Sequence, residues 1–572
     1  MKAPALLALL LVLCERGSGT FAHRSQHRPL VISNVTVIDG TGAAAYRASV
    51  VIDGDRIAAI ARDRPPATRR GAAVLAGDGK YLVPGFVDLL THVGMQSNVS
   101  GQLKDLLANE QVSLFRDVLG TDAAHVPTQR QRLNNYKTIL KYELSRGVTT
   151  FVDSITSAGD IAALRRELIP GEYPNFLALG PMLGYALGHP YPTDGTDWKY
   201  ALPSVPADLP APEQAALVNP SLLARLDPAA QEKLRPLIVS LDRMGADLRR
   251  MFEIASLDGV KVNVQMPTEH GHPSPRVPFP VLKRICDLVH ARGKPVFFLA
   301  DTVESLEDAA RAGCNVKLGP PFVLGRVDPA TRRMNIVPPP TTWEALAAAR
   351  VAILSIEVNM GGNLDLYLKD PSAFEADVRD NPTVMADTRE HYRSVLASAR
   401  ELIRDERQLG MAMSGISARI RRGETLTAEE MATKARFDSL NALEGRAGSA
   451  RYFRTLLKEC REHYQLPVIP TADCGSIAVF HGTLWRELVL LTSPDGPAPA
   501  LMTPGQALSA VTLEAARAMR IDNRVGSIEV GKTADLLLLN SNPLADIRNV
   551  RDVSVIIKSG RRVPVPGSAG RG

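Results

Sequence analysis

Long apolar runs, blocks of like charge and clustered cysteines are all missing from this chain, and each absence removes a class of protein. The apolar run at residues 3–14 is too short to cross a bilayer, so no integral membrane segment is expected. No block of five or more like charges occurs, and a formal charge of +6 over 572 residues is too thin to argue for nucleic acid as a partner. The five cysteines form no close-spaced framework of the kind that staples small domains. Cys286, Cys314, Cys460 and Cys474 are therefore expected to be isolated buried thiols. What is left is a chain that is 45% hydrophobic and long enough for one large barrel with an accessory domain. The expected partner is a small-molecule ligand or substrate, and no oligomeric state can be read.

The N-terminus has the shape of an export signal. Met1-Lys2 supplies a positive start, residues 3–14 an apolar core, and Thr20-Phe21-Ala22 small residues for cleavage. Residues 1–22 are thus expected to be removed, leaving a periplasmic or secreted protein that begins near His23. Lipid attachment at Cys14 is disfavoured by the bulky Leu13 before it.

Two strand-rich segments flank the rest. Residues 31–37 (VISNVTV) alternate as a strand does, and residues 50–57 read as strand, turn and strand, with Asp53-Gly54 as the turn signal. Near the other end, residues 526–539 (GSIEVGKTADLLLL) read as a turn and a strand, and residues 553–558 as another. One small β-domain built from both termini is expected, from residues 29–80 and 506–567. Between them, residues 81–505 alternate short apolar strands with helical patterns, as repeated βα units do. The strands at residues 147–153, 258–264 and 294–299 are examples, the first entered from a helix over residues 136–145. Residues 190–212 read as a proline-rich loop over the mouth. Residues 377–463 read as a helical insertion in which Thr427-Ala428-Glu429-Glu430 forms a capping box.

The most informative stretch is Pro84-Gly85-Phe86-Val87-Asp88-Leu89-Leu90-Thr91-His92. It resembles the PGxxDxHxH signature of the amidohydrolase superfamily, whose two histidines hold a divalent metal from one face of a strand. GSIEVGKTADLLLL resembles the C-terminal motif of the same superfamily. The resemblance implies an α/β fold, a (β/α)8 TIM-like barrel with a composite β-sandwich, and chemistry at the C-terminal ends of the strands. It also implies a site plan: two histidines on strand one, a carboxylated lysine or a glutamate on strand four, one histidine each on strands five and six, and an aspartate on strand eight.

Laid on this chain, the plan is partly kept. His92 stands at the second strand-one position, Lys261 on strand four, and Asp473 in Pro470-Thr471-Ala472-Asp473 on strand eight, where the resemblance makes it the catalytic general base. Leu90, Leu299 and Leu318 fall where nitrogen donors are expected, each inside its own matching motif. The implied cofactor is therefore none, or a weakly bound divalent metal, zinc in the family. His270 and His272 in Glu269-His270-Gly271-His272, and His481 in His481-Gly482-Thr483, are candidate substrate contacts. The family chemistry is hydrolysis of a carbon–nitrogen bond other than a peptide bond, in an amide, a cyclic amide or a dipeptide-like molecule. With the ligand set thinned, a weakly active or non-catalytic protein is expected. The competing readings are hydrolysis with residual or substitute metal ligands, and metal-independent hydrolysis through Asp473 with His92.

Overall fold

The computed structural model describes residues 28–62, 71–93, 128–185, 199–206, 208–265, 275–323, 337–384, 386–475, 479–494 and 499–565. The expected export signal, residues 190–198 and 207 of the expected loop, and the His270/His272 pair lie outside these residues.

The chain opens with β1 (Leu30–Val37), β2 (Tyr46–Asp53), β3 (Arg56–Arg62), β4 (Ala73–Ala76) and β5 (Tyr81–Pro84). β2 turns into β3 through Gly54 and Asp55, where Gly54 takes a φ of +63°, as the Asp-Gly signal predicts. Eight parallel staves follow: β6 (Phe86–Thr91), β7 (Val148–Asp153), β8 (Asn175–Ala178) continued by β9 (Met182–Gly184), then, past the short β10 (Lys199–Ala201), β11 (Val260–Gln265), β12 (Val296–Ala300), β13 (Val316–Lys317), β14 (Ala352–Leu354) and β15 (Val468–Ile469). The chain returns to the first sheet with β16 (Leu536–Leu539), β17 (Val553–Lys558) and β18 (Arg561–Val563).

The terminal strands form one sheet in the order β18-β17-β16-β5-β1-β2-β3, with β4 beside β1. β5 joins the two ends of the chain, parallel to β1 and antiparallel to β16. The composite β-domain thus takes in residues 81–84 as well. It is fastened to the barrel by a buried charge. Lys558 Nζ lies 3.0 Å from both Asp535 oxygens, both side chains are 2% exposed, and Asn175 of β8 binds each partner at 2.9 Å.

The barrel is a (β/α)8 barrel with two apolar layers. Alternation along each stave sends one set of side chains inward and one outward. Val87, Leu89, Leu90, Val152, Phe297, Val316, Leu318, Leu354 and Ile469 form the inner cluster, closed by Ala515, Ala516 and Met519 from the C-terminal segment. The outer set packs against the surrounding helices, among them α1 (Gln129–Ser145), which precedes β7. Between β14 and β15 the helical insertion runs through Ala386–Arg404, Glu406–Arg421 and Ala428–Glu462, and Thr427 caps the last with the predicted box. Cys286, Cys314, Cys460 and Cys474 are free and buried. They are not all isolated: the sulfurs of Cys286, in the helix Phe279–His290 that precedes β12, and Cys314, just before β13, lie 3.6 Å apart.

Candidate functional site

His92 follows β6 and Asp473 follows β15, the two staves that meet where the barrel closes. Closure itself therefore sets their separation. Thr91 bridges Cys474 in parallel register, and the His92 backbone N–H donates to the Cys474 carbonyl at 2.9 Å. The seam is tight enough to require glycine next in line, because a Cβ on Gly475 (φ +91°) would stand 2.3 Å from the His92 carbonyl oxygen. Asp473 has a φ of +59°, a left-handed conformation that aspartate tolerates better than most residues.

The side chains then form a line. Asp473 Oδ1 lies 2.8 Å from His92 Nε2, His92 Nδ1 lies 3.1 Å from Ser154 Oγ just past β7, and Lys261 Nζ on β11 donates to Ser154 Oγ at 3.4 Å. The second Asp473 oxygen accepts from Asn359 Nδ2. One donor order satisfies every contact: Lys261 donates to Ser154, Ser154 to His92 Nδ1, and His92 Nε2–H to Asp473. In that order the imidazole is neutral and the carboxylate ionised.

The environment favours these states. Burial pushes the His92 ring down, against the pull of Asp473 upward. Burial by itself would raise Asp473, but His92, which is protonated at the low pH where a carboxyl titrates and hydrogen-bonded to it, holds its carboxyl below the usual range together with Lys261 and Asn359. Lys261 is pulled down to about 8 by burial, with Asp473 and Asp153 opposing. All three residues are nearly closed off from water: His92 is 5% exposed, Lys261 4% and Asp473 7%.

Lys261 thus reaches Asp473 through Ser154 and His92 rather than by direct contact. Leu90 and Leu318 are buried in the inner cluster and Leu299 packs against it, so the three leucines share one apolar patch with Phe297, Val316 and Ile356. His481 is fully buried and hydrogen-bonded to Glu143 of α1 at 2.9 Å, with its ring against Phe151. Two contributors were not found from sequence. Ser154 directly follows the strand motif that ends at Asp153, and no local signal marks it. Asn359 sits in a π-helical turn, Val358–Gly362, which has no local sequence signature. That turn is tied down by Glu487, whose carboxylate accepts from the backbone of Glu357 at 2.9 Å and of Val358 at 2.8 Å.

Comparison with known proteins places the chain as follows. Residues 459–563 match the sequence profile of the amidohydrolase family. Over 68 residues the chain is 41% identical to the imidazolonepropionase of Shewanella frigidimarina, a match covering 11% of this chain and 17% of that relative's length. Among solved structures, a Xaa-Pro dipeptidase with methionine bound in its active site superposes with a TM-score of 0.56 at 17% identity, over 94% of this chain and 99% of that one. The ochratoxinase of A. niger superposes with a TM-score of 0.56 at 15% identity, over 94% and 96% of the two chains. At these identities the structural likeness establishes the fold.

Proposed function

We propose that the chain is a member of the amidohydrolase superfamily, supported by the profile match at residues 459–563 and by the shared barrel fold, and that it is an exported relative of carbon–nitrogen hydrolases whose barrel mouth takes a small amide-like, cyclic-amide or dipeptide-like molecule without a binuclear metal centre. The observation that carries this reading is the fate of the donor positions. Leu90, Leu299 and Leu318 gather in one apolar patch, while His92 and Asp473 are bonded to each other. A branched alkyl chain has no lone pair for a metal, and zinc lowers the pKa of water only where it is held. One imidazole, one amine and one carboxylate, each with a protein partner already, do not fit a binuclear centre. Weak turnover or ligand binding alone follows. Export rests on the signal-like residues 1–22.

A specific observation favours a second reading, metal-independent hydrolysis. Ser154, His92 and Asp473 stand in the order nucleophile, base and orienting carboxylate, at 3.1 and 2.8 Å. In that chemistry the Ser154 proton passes to His92 Nδ1 as Oγ bonds to the substrate carbonyl carbon. His92 returns the proton to the leaving nitrogen as the C–N bond breaks, and water then hydrolyses the acyl-enzyme.

The test is a panel of amides, cyclic amides and dipeptides, assayed with added Zn²⁺ or Mn²⁺ and with chelator, alongside ligand-induced shifts in melting temperature. The proposal expects stabilisation by one substrate class and no metal-stimulated turnover. Chelator-sensitive hydrolysis that disappears in His92→Ala and Asp473→Asn would overturn it. Chelator-resistant hydrolysis lost in Ser154→Ala, with a fluorophosphonate adduct on Ser154, would establish the second reading.

A further inference from the structure

On the outer side of the closing seam, one residue beyond Asp473, three side chains of different chemistry meet. Glu143 of α1, Cys474 after β15, and His481 offer ligand atoms within 4.8 Å of one another, and all three are fully buried. Their internal bonding leaves atoms over. Glu143 Oε1 accepts from both His481 Nδ1 and the Gly482 backbone N–H, each at 2.9 Å. Glu143 Oε2 and His481 Nε2 have no hydrogen-bond partner, and neither has Oδ2 of the equally buried Asp88, whose other oxygen is held by Thr471. The Cys474 sulfur lies 3.7 Å from Thr483 Oγ1. Among the described residues no lysine or arginine pairs with Asp88 or Glu143, and the His481 ring is the side-chain hydrogen-bond partner of Glu143.

Two buried carboxylates, a thiol and an imidazole with a free nitrogen require a cation or extra protons, because buried polar groups without partners are rare. In the tautomer that donates Nδ1–H to Glu143, the His481 ring presents a lone pair at Nε2, as in histidines that a carboxylate orients toward a metal. We propose that Glu143, Cys474 and His481, with Asp88 beside them, form a buried structural site for one divalent ion of borderline softness, zinc above all. A mixed sulfur, nitrogen and oxygen set suits zinc, whereas magnesium and calcium favour oxygen alone. On binding, the Cys474 thiol gives its proton to solvent and becomes a thiolate. Thiolate and Glu143 carboxylate together balance the charge of the ion. The ion ties α1 to Cys474 and to His481 at the strand-one edge of the seam, behind Asp473.

The sulfur separates this site from any metal at the barrel mouth, where His92, Lys261 and Asp473 offer nitrogen and oxygen only. The mature protein is unfolded with chelator, refolded with Zn²⁺ or with Co²⁺, freed of excess metal, and read by elemental analysis and absorption. The site predicts about one equivalent of metal and a near-ultraviolet sulfur-to-cobalt charge-transfer band. Cys474→Ala and Glu143→Gln are each expected to weaken binding by about tenfold or more, and His92→Ala to leave stoichiometry and band unchanged. Glu143→Gln keeps shape and sulfur, so it serves if Cys474→Ala does not fold. Folded protein that takes up no stoichiometric metal, a cobalt spectrum without the sulfur band, or full retention of metal by either variant would overturn the proposal.

Discussion

Replacing Asp473 by asparagine isolates the charge at the centre of the mouth, because asparagine also tolerates the left-handed backbone that Asp473 adopts at φ +59°. Three losses follow. The bond from His92 Nε2 at 2.8 Å changes from charge-assisted to neutral, a difference of about 1 kcal/mol. The new amide sets an N–H₂ group against the Asn359 N–H₂ unless one of them rotates, at about 1 kcal/mol or more. Lys261 also loses the larger of its two compensating interactions, that with Asp473. Burial has already brought that lysine from 10.5 to about 8, equivalent to about 3 kcal/mol of disfavoured charge below pH 8. Between pH 8 and 10.5 the unfolded chain holds a proton that the folded chain has released, so this penalty fades and stability rises with pH across that window. Together the losses come to about 2–4 kcal/mol near neutrality, or about 2–4 °C in melting temperature for a cooperative unit of several hundred residues. Thermal and denaturant unfolding of wild type and Asp473→Asn at pH 6 and pH 9 should show the gap between them narrowing at the higher pH, where Lys261 is neutral in both. An equal gap at both values, or no gap, would refute the coupling of Lys261 to Asp473.

Other consequences are open to direct measurement. Lys558→Met strands the Asp535 carboxylate at 2% exposure and should lower stability by about 3–5 kcal/mol in denaturant titrations; a change under about 1 kcal/mol would show that water relieves the charge. The triple change Leu90→His, Leu299→His and Leu318→His, made in a Cys474→Ala background, should create zinc or manganese binding without sulfur character in a cobalt spectrum, and failure to bind would mean that these positions do not converge on His92. Thr427→Ala removes a capping box that opens a long helix and should cost about 1 kcal/mol, visible as a small loss of melting temperature with helicity otherwise kept. In an oxidising compartment Cys286 and Cys314, with sulfurs 3.6 Å apart, should yield some disulfide on exposure to oxidised glutathione, seen as a loss of two hydrogens per chain by mass spectrometry.

Features decided by neighbouring residues were legible from the chain alone. The β2–β3 turn at Gly54, the capping box at Thr427, the alternating strand of residues 31–37 and the order of barrel motifs all depend on hydrogen bonds or periodicity within a few positions. The candidate site was legible in part for the same reason: His92 and Asp473 each sit in a recognisable strand-end motif. Their partners were not. Ser154 was passed over because nothing local distinguishes a serine that receives a lysine's hydrogen bond from one that faces water. Asn359 depends on a π-helical turn held by a glutamate 130 residues away from Glu357, the residue before that turn.

By itself the amino-acid sequence determined which residues could take part: a barrel built on repeated strand and helix periods, leucines at three donor positions, and the polar side chains near the strand ends. The tertiary structure decided who meets whom. Closure of β6 against β15 brings His92 to Asp473 across 381 positions and leads Glu143 to His481 across 338. Composite pairing of the termini puts Lys558 on Asp535 and both on Asn175 of the barrel. The physical reason is range. Turns, caps and alternation are fixed by short-range sterics and hydrogen bonding, whereas a buried charge takes whatever partner the packed fold delivers, and that partner exists only once the seam has closed.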